Sequence, residues 1–319
     1  MFRNLVIAGA LLAACAAAQA ESYPVRPIRV IIPFGPGSAI DVIPRIVFEE
    51  MSRRLGQPIV VENRGGAGGT IGAAAVAKAQ GDGYTLLVNS AAHTIAPSVY
   101  ANLLYDTAKD FAPVGTMGNV PNVLIIAPQK GVRTLAEFVT LARAKPGALN
   151  FASVGVGSAV HLSAERFRVA ASYEAVHIPF KGGAEALTEV ITGRVDYYFC
   201  PIATALPHIR DGKLVALAVS TPTRASLLPD VPTTLEAGYP DSDFTFWVGM
   251  FAPATTPKDI IEKLNREMAA AAAAPAVREK LAALGVEAMP LSSGEFGAYV
   301  DAELTRYATF AKAAGLKPN

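Results

Sequence analysis

The sequence predicts an α/β protein of two lobes, in which mostly parallel sheets are flanked by helices and a ligand cleft lies between the lobes. Strand-like and helix-like segments alternate through short connections, which favours parallel sheets. Two glycine-rich segments, 28–41 and 149–161, also share one order of features: an apolar strand, a loop of small residues and the start of a helix. Because one lies in each half of the chain, two lobes are favoured over one long sheet.

Residues 1–20 have the features of a secretory signal peptide. Arg3 gives the positive start, 5–14 form the apolar core and 18–20 form a small-x-small cleavage site. The apolar run is shorter than the roughly 18 residues of a membrane-spanning helix. Residues 12–15 also fit a lipobox ending at Cys15, so lipid attachment there stays open, although cleavage after Ala20 is favoured. We expect an exported, periplasmic protein without tight membrane insertion.

The elements of the mature chain follow in a regular order. Strands are predicted at 28–33, 58–62, 84–89, 123–127, 149–152, 175–179, 195–200, 214–220 and 246–252. Helices are predicted at 41–55, 70–80, 135–144, 159–171, 184–192, 203–211 and from 257 onward, and the alanine run 269–274 is interpreted as helical. The expected first lobe is discontinuous, comprising 21–124 and 221–319, and the second lobe comprises 125–220.

Charge and cysteine content narrow the function classes. The chain has 28 Lys and Arg against 27 Asp and Glu, and Arg3 belongs to the leader. This balance offers no basic field for nucleic acid. Beyond the leader only Cys200 remains, within an apolar run, so it is interpreted as a core residue and no intrachain disulfide is possible. We expect a monomer with a small-molecule ligand.

The first glycine loop is a candidate anion site. A loop before a helix exposes backbone N–H groups at the positive end of the helix dipole. Gly35 and Gly37 allow close backbone approach, and Ser38 adds a hydroxyl group. Asp41 is suited either to cap the helix or to contact the ligand, and the sequence leaves both readings open.

The second glycine loop offers Gly155, Gly157 and Ser158 as donors to the far end of the same anion. His161 lies one turn into the next helix, where packing is a commoner role than catalysis. No second metal ligand stands at a suitable spacing beside it, so no metal is expected. Ser90 and Lys181 follow other predicted strands and are candidates to complete the site.

Two enzymatic alternatives lack support in the spacing. Segment 65–72 lies between a strand and a helix, but Ile71 occupies the third glycine position of a dinucleotide fingerprint, so no nucleotide cofactor is expected. Ser153 and Ser158 lack the G-x-S-x-G frame of a hydrolase. An exported hydrolase remains a weaker alternative, because His161, His177 and several acids can meet in space.

An ordered set of short motifs resembles the Bug receptors, the extracytoplasmic solute receptors of tripartite tricarboxylate transporters. The motifs are YPxxPIR (23–29), PFGxG (33–37), VENRxGAGG (61–69), DGYTLL (82–87), GxGSxxHL (155–162), PFKGG (179–183), LPDVPT (228–233) and WxGxFAP (247–253). They span nearly the whole mature chain in the expected order.

The resemblance implies a two-lobed periplasmic binding protein fold of type II that closes on a small organic carboxylate and delivers it to transporter membrane subunits. Binding without catalysis or a cofactor is expected. A sensor that signals through a membrane partner is the alternative output. The resemblance places the following residues at the ligand: Phe34, Gly35, Gly37, Ser38, Ala39, Asp41, Ser90, Gly155, Gly157, Ser158, His161, Lys181 and Gly182.

The first loop departs from the family pattern. Ser38 and Ile40 stand where a glycine and a threonine are usual. Ser38 adds bulk and a hydroxyl group, whereas Ile40 removes one. We therefore expect the backbone contacts to be retained and the ligand preference to differ, with a less polar carboxylate as one alternative.

Overall fold

A computed structural model describes residues 23–155, 158–180 and 182–313. The predicted leader and Cys15 lie outside these residues. The strands are β1 (Ile28–Ile32), β2 (Ile59–Asn63), β3 (Thr85–Asn89), β4 (Phe111–Val120), β5 (Asn122–Ile126), β6 (Leu149–Ser153), β7 (Ala175–Pro179), β8 (Tyr197–Pro201), β9 (Val215–Val219) and β10 (Phe246–Pro253). The helices are α1 (Ala39–Leu55), α2 (Thr70–Ala77), α3 (Ala91–Val99), α4 (Leu135–Ala144), α5 (Ala159–Ala170), α6 (Gly183–Ile191), α7 (Ile202–Arg210), α8 (Lys258–Ala273), α9 (Pro275–Ala283) and α10 (Ser293–Ala313).

The strands form two five-stranded sheets with the same topology. The first sheet has the order β2-β1-β3-β10-β4, and the second has the order β7-β6-β8-β5-β9. Only the fourth strand of each order, β10 or β5, runs antiparallel to its neighbours. The prediction of mostly parallel sheets is therefore confirmed.

Helices cover both faces of each sheet. In the first lobe, α1, α8 and α9 pack on one face and α2, α3 and α10 pack on the other. In the second lobe, α4 and α5 cover one face, while α6 and α7 cover the other. Because both faces are buried, the strands are almost continuously apolar, as in β5, where all five residues are buried.

Helix α1 illustrates how the sequence forms these layers. Ile43, Val47 and Met51 recur at helical spacing, and their side chains are buried against the first sheet. The helix ends at Gly56, whose φ of 67° is the left-handed conformation that glycine adopts without a steric penalty. This helix begins directly after the first glycine loop, so its packing fixes the position of that loop.

The chain crosses between the lobes twice, side by side. Only Pro121 separates β4 from β5, and the N–H of Ser220, after β9, donates to the carbonyl of Asn122. The N–H of Phe244, before β10, then donates to the carbonyl of Ser220. Strand directions put both crossings at the carboxyl ends of the parallel strands. The two carboxyl edges therefore meet, and a cleft between the lobes is lined by the loops that leave them.

Some details differ from the sequence expectations. The expected boundary between residues 124 and 125 falls inside β5, all of which pairs within the second sheet. Strand β4 and helix α3 were not predicted as regular elements. The helical interpretation of the alanine run holds as far as Ala273, where α8 ends. Among the described residues, no helix is sufficiently long and apolar to cross a membrane.

Candidate functional site

The first glycine loop is held from beneath by the Asp41 carboxylate. Asp41 Oδ2 accepts the N–H of Gly37 at 2.9 Å. Asp41 Oδ1 accepts Arg45 Nε and Asn63 Nδ2, each at 2.9 Å. Asn63 Nδ2 also donates to the carbonyl of Phe34 at 2.9 Å. Asp41 and Asn63 together thus tie both ends of the loop to α1 and β2, and Asp41 is only 3% exposed.

This network gives Asp41 a structural role, one of the two alternatives that the sequence left open. Burial alone would raise the pKa of its carboxyl group, but the hydrogen bonds from Asn63, Gly37 and Arg45 together hold that pKa below its usual value. The carboxylate is therefore ionised, and its oxygens accept protein donors. In this structure Asp41 organises the loop, which is a different role from the ligand contact considered above.

The remaining residues of this loop are exposed or half-buried. Gly35, Gly37 and Ala39 are exposed, and Phe34 and Ser38 are half-buried. Ser38 Oγ donates to the carbonyl of Gly35 at 3.0 Å and makes no capping bond to α1. The first-turn N–H groups of α1 are consequently left uncapped by this side chain, and such groups attract anions.

Ile40 corrects one expectation about specificity. Its side chain is 4% exposed and belongs to the core between α1 and the first sheet. A threonine there would also point into that core, so the missing hydroxyl group is not missing from the cleft. The expectation of a less polar ligand loses this part of its support.

Segment 65–72 packs against the first loop. A Cβ atom on Gly69 would lie 3.3 Å from the ring of Phe34, and one on Gly72 would lie 2.8 Å from Pro33 Cβ. A Cβ atom on Gly68 would collide with the hydroxyl group of Tyr100. These glycines permit close packing of the loops at the carboxyl edge of the first sheet.

Ser90 lies at the same edge, after β3. It is 4% exposed and is the N-cap of α3, where its Oγ accepts the N–H of Ala92 at 3.5 Å. Its own N–H donates to Asn89 Oδ1 at 2.9 Å. The position agrees with the sequence expectation, but most of the side chain is buried against its own helix.

Hydroxyl groups fix the second glycine loop. Ser153 Oγ accepts the N–H of Gly155 at 3.0 Å. Ser158 Oγ donates to the carbonyl of Gly155 at 2.7 Å and accepts the N–H of His161 at 3.4 Å. Ser158 is thus the N-cap of α5. The predicted residues Gly155, Ser158 and His161 are therefore close together, whereas Gly157 and Lys181 lie outside the described residues.

Two histidine rings lie against each other next to this loop. The rings of His161 and His177 have centroids 4.2 Å apart, and Phe151 stacks on the ring of His177 at 5.0 Å. Burial, with a smaller effect from His177, lowers the pKa of His161 to about 4, and burial also lowers the pKa of His177. Both rings are therefore neutral near pH 7, and the second loop has a neutral support.

The same region contains a serine and a histidine that are as close together as the nucleophile and base of a hydrolase. Ser153 Oγ lies 2.6 Å from His177 Nε2, a pairing that the sequence spacing did not indicate. Ser153 is completely buried, however, and its Oγ already accepts the N–H of Gly155. A nucleophile must reach its substrate. In this arrangement the Ser153 hydroxyl group joins the glycine loop to His177.

Gly182, a further predicted ligand residue, precedes α6 at the carboxyl edge of the second sheet. It is half-buried and caps α6 through its backbone, without a side-chain bond.

A separate groove of about 930 Å³ lies elsewhere, lined by parts of α8 and α9 and by 285–290, and contains none of the predicted ligand residues. No group of three or more His, Cys, Asp and Glu suited to a metal occurs in the part of the chain that the structure describes.

Sequence reasoning missed the residues that support the loops. At the first loop these residues are Asn63 on β2 and Arg45 on the next turn of α1, which both donate to Asp41. At the second loop the residue is His177 on β7, which bonds Ser153. The motif at 61–69 contains Asn63, and this was the available signal, but its partner on α1 becomes apparent only when β1 and β2 pair in parallel.

Comparisons with known proteins agree with this architecture. The model of the family described as "Tripartite tricarboxylate transporter family receptor" matches residues 43–316. Protein BugT of Bordetella pertussis is 35% identical over 322 residues, covering 99% of each chain. The structure of R. palustris Rpa4515 with adipate is 32% identical, with a TM-score of 0.79, and the match covers 93% of this chain and 100% of that chain. MatC (Rpa3494) from Rhodopseudomonas palustris with bound malate is 34% identical, with a TM-score of 0.76, covering 91% of this chain and 100% of that one.

The resemblance inferred from the ordered motifs is therefore confirmed, as is the two-lobed binding-protein fold. The family match covers most of the chain, and the relatives match over nearly their full length. This chain belongs to the family of tripartite tricarboxylate transporter receptors, solute-binding proteins that include the Bug proteins.

Proposed function

We propose that this protein captures a small dicarboxylate between its two glycine loops and delivers it to the membrane subunits of a tripartite tricarboxylate transporter. The observation that carries the proposal is the start of α1, which Ser38 does not cap with its side chain, beside the exposed backbone of Gly35. Helix N-termini of this kind favour negatively charged groups. Relatives at 32% and 34% identity have structures with adipate and malate, which both carry two carboxylates.

Neutral donors, rather than cations, are proposed to hold the carboxylates. Arg45 lies one turn after Asp41 on α1, and its Nε and Nη2 atoms donate to Asp41 and Asn63. At the second loop, the low pKa of His161 keeps its ring uncharged near neutral pH. Specificity should therefore depend on the distance between the two loops, which sets the preferred chain length of the ligand.

Calorimetric titration across dicarboxylates of four to six carbons tests this function. Each ligand is paired with its diamide, which has the same length without the charges. We expect saturable binding of at least one diacid and none of its diamide. Ligand at 100 times its dissociation constant should stabilise the fold by about 2.7 kcal/mol, visible as a higher Tm. Absence of heat and of thermal stabilisation with mono-, di- and tricarboxylates would count against the proposal.

Binding without turnover is part of the proposal. The buried Ser153 hydroxyl argues against hydrolysis, and the relatives are solute receptors. After prolonged incubation, NMR should recover the ligand unchanged. Co-purification with transporter subunits, rather than with a sensor protein, would support transport as the output.

Export to the periplasm is proposed from the leader sequence and the family. Residues 1–20 contain the signal, and Cys15 is the possible site of a lipid. The intact mass of the secreted protein distinguishes cleavage after Ala20 from a diacylglycerol adduct on Cys15.

A further inference from the structure

A buried polar cluster joins the two lobes away from the glycine loops. We call it the interlobe cluster. Its members come from α5 of the second lobe, from the segment that returns to the first lobe, and from β10, α3 and α10 of the first lobe. They are Arg166, Asp243, Trp247, Thr94, Glu303 and Arg306.

Helix α5 reaches the first lobe through Arg166. Arg166 Nη2 donates to the carbonyl of Asp241 at 2.8 Å and lies 3.6 Å from Asp243 Oδ1. Asp243 Oδ2 accepts Arg306 Nη1 at 2.9 Å. The Arg166 side chain is only 2% exposed, so its charge depends on these protein partners. Asp243 therefore joins two guanidinium groups, one from each lobe.

Apolar contacts reinforce this attachment. Leu162, one turn before Arg166 on α5, is buried in the core that contains Ile31, Leu87 and Trp247 of the first lobe. The guanidinium group of Arg166 also lies 5.9 Å from the ring centroid of Tyr307 on α10. One face of α5 thus packs on the first lobe, while Phe167 packs within the second lobe.

Helix α10, which carries Arg306 and Tyr307, also contacts α3. Glu303 on α10 accepts Trp247 Nε1 at 2.8 Å, and its Oε2 forms a hydrogen bond with Thr94 Oγ1 at 3.0 Å. Glu303 is 4% exposed. Thr94 lies in the first turn of α3, the helix capped by Ser90 at the cleft. Helix α10 therefore contacts the two helices that begin at Ser90 and Ser158.

We infer that Asp243 is a positioning residue, which, through Arg166 and Arg306, holds α5 and its glycine loop at the correct distance from the first lobe. The inference rests on the proposed carboxylate cleft. Arg166 lies seven residues into α5, so its contacts act roughly 10 Å along the helix axis from the loop. A small rotation of α5 about this attachment changes the separation of the two glycine loops.

Asp243→Asn removes the charge while keeping the shape of the side chain. Glu165→Gln is the matched control, because it removes a charge from the same helix at a residue whose 2.7 Å ion pair is with Arg168 of α5 itself. Arg306→Gln is a milder second variant, since Arg306 is 42% exposed and its loss leaves Arg166 beside Asp243. The measurements are calorimetric affinity for the diacid bound by the wild type, fluorescence of Trp247, the single tryptophan, and small-angle scattering.

We expect Asp243→Asn to lower the affinity at least tenfold at temperatures where its circular dichroism shows a folded protein. Arg306→Gln should lower it less, and Glu165→Gln should stay within twofold of the wild type. Wild-type Trp247 emission should change on ligand addition with the same dissociation constant as the calorimetry. Without ligand, Asp243→Asn should have a larger radius of gyration than the control.

Affinity within twofold of the wild type for folded Asp243→Asn would overturn the inference. Unchanged Trp247 emission at saturation would do so as well. If Asp243→Asn does not fold, Arg306→Gln decides by the same affinity criterion. If the wild type binds no carboxylate, the proposed function fails, and the positioning role is then judged by the ligand-free scattering, where equal radii overturn it.

Discussion

Replacing Asp41 with Asn tests whether the first glycine loop is pre-formed by the network beneath it. The carboxylate accepts three hydrogen bonds of 2.9 Å, from Gly37, Arg45 and Asn63. An amide has one oxygen and one NH₂ group. In either orientation, its NH₂ group faces at least one of these donors, so that donor loses a charged acceptor.

The expected cost follows from these contacts. A hydrogen bond to a charged group contributes about 1.5–3 kcal/mol. The ion pair with Arg45 adds only about 0.3–0.5 kcal/mol, because Arg45 is half-exposed and solvent screens the pair. Asp41→Asn should therefore destabilise the fold by roughly 1.5–3 kcal/mol. If the loop moves, affinity should fall by about ten- to a hundredfold, since each 1.4 kcal/mol is tenfold.

Urea unfolding and calorimetric titration measure the two effects. Glu50→Gln is the control, because Glu50 forms a 2.7 Å ion pair with Arg53 on the same helix but lies away from the loop. The control should change stability by less than about 0.5 kcal/mol and leave affinity unchanged. The reasoning is refuted if Asp41→Asn and Glu50→Gln behave alike in both measurements.

Three further predictions follow from the same loops. Between pH 6.5 and about 4, the unfolded chain binds a proton at His161 that the folded chain does not, so stability should fall with decreasing pH by up to roughly 3 kcal/mol. Urea unfolding across this range should show a smaller loss of stability in His161→Gln. Gly72→Ala should lower the free energy of unfolding by about 1–3 kcal/mol, because its Cβ would meet Pro33 Cβ at 2.8 Å. A Cβ at Gly35 meets nothing within 4 Å, so Gly35→Ala should lower affinity without changing the Tm, and equal Tm values for the two variants would contradict this. Ser153→Ala should weaken binding by loosening the loop, and an ester-hydrolysis assay should give background rates with and without the hydroxyl group; serine-dependent hydrolysis would reverse the assignment.

The sequence predicted most of the regular elements because their signals are local. Segment 175–179 and the helix at 135–144 have the predicted bounds. Helix α7 forms despite Pro207, which lies inside it. Thr134 and Glu137 begin α4 with a capping box, a signal contained within four residues.

Strand β4 was missed because its glycines resemble a turn. Gly115 and Gly118 serve tertiary packing instead: a Cβ atom on Gly115 would collide with Asn265 of α8, and one on Gly118 would lie 2.8 Å from the carbonyl of Glu287. Both partners lie more than a hundred residues away in sequence. A local pattern cannot distinguish a glycine required for such an approach from one required for a turn.

The loops themselves were recognisable, whereas their supports were not. Gly35, Gly37 and Ser158 stand out because strand, loop and helix follow one another directly. The interaction of Asn63 with Asp41 depends on parallel pairing of β1 and β2, and that of His177 with Ser153 depends on pairing of β6 and β7. The register between strands is not encoded locally, so contacts that depend on it required the structure.

The two loops resemble each other in sequence but differ in what holds them. The first rests on an ionised carboxylate, Asp41, that is compensated by Arg45. The second rests on the hydroxyl group of Ser153 and the imidazole of His177, which are uncharged near neutral pH. Neither support offers a net positive charge to the cleft. We therefore expect oriented backbone dipoles to stabilise an anion bound between the loops, and their fixed geometry to discriminate among carboxylates of different length.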